Sequence, residues 1–346
     1  MSPEIEQLIP IMLCFNNNYS IPGIVAVHSM LKHASKDYQY NIHILHSDIS
    51  ARNQRRLQRV VGKFPNARLF FHNMENRFED VFEKVGLQAY WSKEIFYKCI
   101  TPSFFPQYER IVITDADVVF CDDFTKHWKL FENDDESLLA GYRCLLKKSD
   151  SDSEFIKMIY KGWDVEERRK CLTCAGFWFQ NLKLMRQENI EQRFLEFIQS
   201  HLDILRQPEQ QVVNVVCHPR IKLLPPEGMI MGYDYQTYKT EEDFHNDKTY
   251  SAEEVKYALE HPIQLHYAGG AKPWNAGFVS KSSLWWKDLF RLGSLGIILE
   301  QLWRFVCGSG YLKVFRNSIR RSIAHSMFMK MCYRLYRKCG FGHSSD

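Results

Sequence analysis

No Lys or Arg precedes Lys32, and residues 7–31 hold no Asp or Glu either. A secretory leader opens on basic residues, whereas this chain opens Met1-Ser2-Pro3-Glu4-Ile5-Glu6. No leader is therefore expected. The chain also lacks the roughly 20 continuous apolar residues that a bilayer-crossing helix needs, because Asn16-Asn17-Asn18 and Pro22-Gly23 interrupt the N-terminal stretch. That stretch reads instead as a buried strand, a polar turn and a helix. A disulfide scaffold is lacking too: ten cysteines scattered over 346 residues do not make one, and reduced thiols in a cytoplasmic protein are expected. Nothing repeats at a fixed period and nothing is of low complexity. With 45% hydrophobic and 25% charged residues, the chain is neither mostly disordered, collagen-like nor a coiled-coil rod. It is long enough to bury a core without staples.

What charge there is falls unevenly. Residues 281–346 hold 12 Lys+Arg against 3 Asp+Glu, a net +9, and residues 1–280 hold 33 against 38, a net −5. A slightly acidic body, 1–280, thus carries a basic C-terminal region, 281–346, expected to be helical. That region is rich in aromatics: Trp285, Trp286, Phe290, Trp303, Phe305, Tyr311, Phe315, Phe328, Tyr333 and Tyr336. Its longest uncharged runs, among them 292–299 and 305–312, are eight residues and too short to span a bilayer. Basic residues interleaved with aromatics suit an anionic membrane surface. A nucleic-acid surface and a plainly packed helical subdomain fit the same composition. The membrane surface is the reading taken, with no nucleic-acid partner.

Along the body, apolar runs alternate with amphipathic stretches. Strands are expected at Ile9–Phe15, Tyr40–His46, Ala67–Phe71 and Arg110–Thr114, the last continued by Val118–Phe120 after two acids. Helices are expected at Ile21–Lys32, at Ser50–Val61 behind a capping Ser50, and at Glu209–Val216 after Pro208. Residues 147–170 are highly charged and read as a surface loop and helix. The alternation predicts an α/β fold with a mostly parallel sheet covered on both faces. Ligands of such sheets bind at the carboxyl ends of the strands. The Asn triplet and the acid pair both fall there.

The acid pair is the most informative stretch. Asp115-Ala116-Asp117 follows the β-branched run Ile111-Val112-Ile113-Thr114, which puts two hard oxygen ligands at a strand end. They suit Mg²⁺ or Mn²⁺, which in turn can hold a diphosphate. A capped turn or a pair of surface acids is the bland alternative. Two enzyme classes use the pattern: a haloacid-dehalogenase-type phosphatase, with the first Asp as nucleophile, and a metal-dependent nucleotide-sugar transferase.

A second string follows the expected strand Ile263–Leu265: His266-Tyr267-Ala268-Gly269-Gly270-Ala271-Lys272-Pro273-Trp274. A neutral imidazole can complete a metal shell. Two glycines let a backbone approach a phosphate, and a lysine can neutralise one of its oxygens.

The two strings together resemble glycosyltransferase family 8, whose bacterial members include lipopolysaccharide galactosyl- and glucosyltransferases. The resemblance covers roughly residues 9–276 and demotes the phosphatase reading. It implies a GT-A fold, dependence on Mn²⁺ (or Mg²⁺), and transfer from UDP-glucose or UDP-galactose with retention at the anomeric carbon. The acceptor would be a saccharide or lipid-linked saccharide in lipopolysaccharide or other surface-glycan synthesis. The implied location is cytoplasmic, peripheral on the inner face of the plasma membrane. A non-catalytic sugar- or nucleotide-binding remnant and a self-glucosylating primer are the alternatives within the family.

Residue by residue, the resemblance implies that Asp115, Asp117 and His266 hold the metal and that Gly269 and Lys272 contact the diphosphate. Asp115, Ala116 and Asp117 line the donor. Cys14-Phe15-Asn16-Asn17-Asn18-Tyr19 matches the uridine-holding strand end, with Asn16 where the family usually has Asp. Asn16, Asn18 and Tyr19 are the implied contacts; an Asn carbonyl can accept the uracil N3–H bond without charge. Phe96-Tyr97-Lys98 matches a Tyr-x-Arg segment reaching the donor; Lys98 keeps the charge but loses the fork geometry. Ala175 and Gly176 match a donor-sugar strand whose usual Asn is Cys174 here. Near Gly141-Tyr142-Arg143-Cys144 the family's sugar-binding Asp is missing. Glu209 and Gln210, with Gln211 and Asn214, match the family's catalytic Asp-Gln-Asp-x-x-x-Asn loosely, with Gln210 facing the anomeric centre. Cys171-Leu172-Thr173-Cys174, lacking a partner pair, is a weak zinc or redox signal.

Overall fold

The computed structural model describes residues 7–308 apart from 76, 81–82, 84–91, 148–156, 158–160, 164–169, 248 and 276–278. Most of the charged segment 147–170, and the aromatics from Tyr311 onward, lie outside the described residues. The chain falls into two compact units, 1–266 and 267–346, a division that comes before residue 280 and splits the His266 string after its first residue.

The missing N-terminal charge has a structural reason. β1 (Gln7–Cys14) is a central strand with parallel neighbours on either side, and such strands read as continuous apolar runs because both faces are covered. Ile9, Ile11, Met12 and Leu13 are fully buried. α1 (Ser20–His33) is buried from Ser20 to Leu31, so its sequence is apolar on every face. β2 (Tyr38–His46), α2 (Ala51–Val61) and β3 (Ala67–Asn73) follow as expected. The Ser50 side chain caps α2 by accepting from the Asn53 N–H. A 3₁₀ helix, Lys93–Cys99, leads to β4 (Arg110–Thr114).

The remaining strands are β5 (Val118–Phe120), β6 (Leu139–Gly141), β7 (Phe177–Asn181), β8 (Ile221–Leu223), β9 (Ile230–Met231) and β10 (Gln264–His266). The main sheet has the order β3-β2-β1-β4-β7-β6-β8. β7 runs antiparallel to both its neighbours, and every other pair is parallel. Of the further helices in this unit, α3 (Ile190–Ser200) and α4 (Pro208–Cys217) matter here. Buried side chains of both, among them Phe194, Ile198, Val212 and Val213, join Ile113 and Trp178 in one hydrophobic core.

β5 does not continue β4 as the sequence suggested. It leaves the main sheet and pairs antiparallel with β10, which pairs with β9 in a second, three-stranded sheet. The change of sheet occurs across Asp115-Ala116-Asp117. Asp115 N–H still bonds to Gly176 O beside the main sheet (3.1 Å), whereas Val118 is already in register with His266. The two carboxylates therefore stand at the seam between sheets. Ser29 Oγ on α1 accepts from Phe120 N–H (3.0 Å) and ties the second sheet to the first layer.

The cysteines also depart from expectation. Cys144 and Cys174 form a disulfide, whereas Cys14, Cys99, Cys121, Cys171 and Cys217 are thiols. The cause is strand register. Gly141 pairs with Trp178 on antiparallel strands, so the residues just past the end of β6 face those just before the start of β7. The pair is distant in sequence, which is why composition did not show it. It also takes Cys174 away from any Cys171–Cys174 metal or redox pair.

In the second unit, α5 (Ser282–Arg291) and α6 (Leu295–Gly308) are helical as expected for a tail. Trp285 is fully buried and its ring lies against Trp274 and Trp286. Phe290, Leu295 and Val306 are exposed. Among the described residues, no helix is long and apolar enough to cross a membrane.

Candidate active site

Asp115, Asp117 and His266 meet at the seam. Each offers a ligand atom, and these atoms lie within 4.8 Å of one another. His266 Nε2 is 3.2 Å from Asp117 Oδ1 and 3.6 Å from Asp115 Oδ2. The antiparallel register of β5 and β10 produces this: Val118, next to Asp117, pairs with His266. The Nδ1 atom of His266 is buried with no hydrogen-bond partner among the described residues. It packs on Gly176, where an added Cβ would come within 2.4 Å of it. Gly176 is therefore required by close approach. Two carboxylates and an imidazole so disposed fit a hard divalent cation such as Mn²⁺ or Mg²⁺. Ala116 is buried between the acids.

Lys98 lies beneath this corner rather than on an open rim. Its side chain is 1% exposed; Nζ donates to Asp115 Oδ1 (2.6 Å) and to Ala175 O (3.1 Å), and Glu209 Oε1 is 3.6 Å away. Burial alone would lower the Lys98 pKa, but Asp115 and Glu209 outweigh it and raise the value. The same burial raises the pKa of Glu209 against the opposing pull of Lys98. Lys98 thus holds one oxygen of Asp115 while the other faces His266.

Gln210, on the first turn of α4, accepts from Ala175 N–H through Oε1 (3.0 Å), and its Nε2 donates to Gln207 Oε1 (3.0 Å). Asn214, one turn on and fully buried, accepts from Leu172 and Thr173 N–H (both 2.8 Å) and donates to Thr173 O and Gln210 O. The segment 172–176 is thereby pinned to α4 on one side and to Asp115 and Lys98 on the other. Gln211 faces elsewhere: its Oε1 accepts from Arg206 and Gln207 N–H at the start of α4.

At the end of β1, the Asn16 side chain caps a short 3₁₀ turn, Asn17–Tyr19, by accepting from Asn18 N–H (3.1 Å). Asn18 is exposed and Tyr19 half-buried. Asn17, between Asn16 and Asn18, was not singled out from sequence but fixes the loop. Asn17 N–H donates to Asp48 Oδ1 (2.7 Å), and Asn17 Oδ1 accepts from Ser50 N–H and Asn53 Nδ2. The polar triplet was the available signal; its long-range partners were not. In the second unit, Gly269 has φ +86°, the left-handed region, with open space around its Cα. Lys272 is buried, and its Nζ donates to Tyr267 O (2.7 Å).

Comparison with known proteins bears on this arrangement. The sequence pattern of the family described as Glycosyl transferase family 8 matches residues 10–277. General stress protein A of Bacillus subtilis (strain 168) is 22% identical over 277 residues, spanning 78% of this chain and 89% of the relative. Among solved structures, the galactosyltransferase LgtC in complex with donor and acceptor sugar analogs superposes with a TM-score of 0.65 at 18% identity, over 83% of this chain and 97% of that one. The WbbM bifunctional glycosyltransferase superposes with a TM-score of 0.63 at 20% identity, over 88% of this chain. Only 53% of WbbM is covered, so this chain spans about half of that protein.

Proposed function

The chain belongs to glycosyltransferase family 8 and has a GT-A fold, and from that premise we propose that it is a metal-dependent, retaining hexosyltransferase. It would move glucose or galactose from a UDP-sugar to a saccharide acceptor. The observation that carries this reading is the convergence of Asp115, Asp117 and His266 at the seam of the two sheets. Bound there, Mn²⁺ or Mg²⁺ would neutralise the diphosphate, so that UDP leaves with its charge balanced.

The side chains around the corner support that chemistry. Lys98 offsets the charge of Asp115 and fixes its second oxygen toward His266. Gln210 is neutral and held at Oε1 by Ala175, which suits stabilising positive charge at the anomeric carbon better than attacking it. Glu209 is turned toward Lys98. With neither placed as a nucleophile, attack from the leaving-group face is favoured, a UDP phosphate oxygen taking the acceptor's proton. Asn16 keeps a lone pair for uracil N3–H beside the bond it accepts from Asn18. By family resemblance, Gly269 and Lys272 add diphosphate contacts.

The basic second unit, with Trp286 and exposed Phe290 flanked by Lys287 and Arg291, supports attachment to an anionic membrane surface. A lipid-linked acceptor of lipopolysaccharide or another surface glycan would be found there. The deciding experiment measures UDP release from UDP-glucose, UDP-galactose, GDP-mannose and CMP-sialic acid, with Mn²⁺ and with EDTA. Release from a UDP-hexose that EDTA abolishes is expected. Undiminished release in EDTA, or preference for GDP or CMP donors, overturns the assignment.

A further inference from the structure

The Cys144–Cys174 bridge joins the end of β6 to the start of β7, and the chain runs from Cys174 straight into the candidate site. Ala175 gives its N–H to Gln210 and its carbonyl to Lys98. Gly176 gives its carbonyl to Asp115 N–H and its open face to the His266 ring. The backbone 174–176 is thus the common support of Gln210, Lys98, Asp115 and His266. Apart from the bridge, among the described residues Cys174 itself is held to the β6 side by one hydrogen bond, its N–H to Tyr142 O at 2.9 Å. The segment 172–176 thus forms one wall of the candidate site, and Cys174 ties it to the β6 side.

We propose that Cys144–Cys174 is a thiol-exchange site that sets the strength of nucleotide binding by fixing the backbone 174–176. The proposal rests on the nucleotide-sugar reading above. The reductant class is a dithiol. Cys144 is half-buried and Cys174 buried, so a dithiol thiolate attacks the Cys144 sulfur and expels Cys174 as a thiolate, which takes up a proton. The second thiol of the reductant then attacks the mixed disulfide and releases Cys144, also protonated. Two electrons and two protons enter the protein, and the reductant leaves as a cyclic disulfide. With the bridge open, the wall keeps its bonds to α4 but loses its covalent tie to β6, and the oxygen of Gly176 no longer holds Asp115 as firmly. Binding and bridge are linked: whatever factor reduction takes from nucleotide affinity, bound nucleotide must add to the bridge's resistance to reduction.

The test uses the full chain, oxidised or treated with dithiothreitol that is removed before metal is added, together with Cys144→Ser. Alkylation without reductant and peptide mapping reports the bridge, hydrogen exchange reports the wall, and calorimetry with UDP and Mn²⁺ reports the site. Expected are unlabelled Cys144 and Cys174 in the oxidised chain and exchange across residues 172–177 faster by about tenfold after reduction. The UDP–Mn²⁺ dissociation constant should rise roughly fivefold or more, with the same factor of protection against reduction when UDP–Mn²⁺ is bound. Cys144→Ser should reproduce the reduced state without reductant. Alkylation of both cysteines in the untreated chain, or exchange and affinity unchanged on reduction, overturns the proposal. Absence of UDP–Mn²⁺ binding in both states, with the exchange response intact, refutes the nucleotide reading while leaving the bridge's hold on the wall demonstrated.

Discussion

At the acidic corner, three side chains converge from the ends of β4, β5 and β10, and the backbone there only presents them. At the adjoining wall, residues 172–176, the chain itself is held, by Asn214 and Gln210 through its amides and carbonyls and by a disulfide at its middle residue, Cys174. The corner gathers like charges against an imidazole, an arrangement suited to a ligand rather than to stability. The wall satisfies buried polar groups, which is a stability device. Losing one group at the corner should therefore cost function and spare the fold, and losing one at the wall should cost stability first and function only through the corner it supports.

The sharpest break of that contrast is Asp117→Ala. It removes a ligand donor and also relieves repulsion from Asp115. Metal-dependent UDP release should fall by at least roughly 10²–10³-fold, as when a main electrostatic group of a site is lost. The melting temperature, followed by circular dichroism, should stay level or rise. A variant that melts early would make the corner structural.

Lys98→Met crosses the boundary between the two regions, because Lys98 bonds to both Asp115 and Ala175. It leaves Asp115 and the part-buried Glu209 without their cation. Removing one partner of a buried pair destabilises by about 3–5 kcal/mol, discounted here to about 3 because Asp115 is partly exposed. Urea unfolding should show this loss, and Glu209→Gln in the same background should recover part of it. No recovery would mean that Lys98 serves Asp115 alone.

The same contrast explains what the sequence could reveal. Asp115 and Asp117 are adjacent to a run of β-branched residues, and His266 opens a dense string, so local pattern located the corner. Arg110–Thr114 was legible to the residue, and α1 was legible because its uniform burial leaves a uniform apolar stretch. The wall was not legible. Asn214 reaches residues 172 and 173 across about forty positions, and Cys144 meets Cys174 through the register of β6 and β7. β5 was misplaced for a related reason: an apolar run after two acids carries no mark of which sheet it joins. The family resemblance led Lys98 to be expected at the donor, whereas its burial under Asp115 depends on tertiary contacts that local pattern does not carry.

Asn214→Ala tests the wall directly. Its side chain meets four buried backbone groups, two N–H and two carbonyls. Leaving such groups unsatisfied costs about 2 kcal/mol, allowing for partial relaxation. Urea midpoints should register that loss, with hydrogen exchange of peptide 172–177 accelerated. Unchanged exchange would show that the disulfide and Gln210 suffice to hold the segment.

The smallest effect belongs to a region remote in character from both, the β2–β3 edge of the sheet. His43 Nδ1 lies 2.9 Å from His72 Nε2, His43 Nε2 lies 3.0 Å from the Tyr108 hydroxyl, and Asn41 Nδ2 donates to that hydroxyl. Burial, reinforced by His72, holds the His43 pKa down, from 6.5 to about 3. The unfolded chain therefore takes up a proton at His43 first as pH falls, and the folded state is disfavoured progressively between about 6.5 and 3. Burial lowers His72 as well, so the pair acts in the same direction. Each such proton tilts the balance by about 1 kcal/mol per pH unit. His43→Gln keeps a donor and an acceptor for His72 and Tyr108 but cannot take the proton. Its urea midpoint should differ little from the parent at pH 7.5, and it should decline less steeply from pH 6 to 4. Parallel acid limbs for the two proteins would assign the acid sensitivity to other groups and leave the histidine pair a packing feature of the sheet edge.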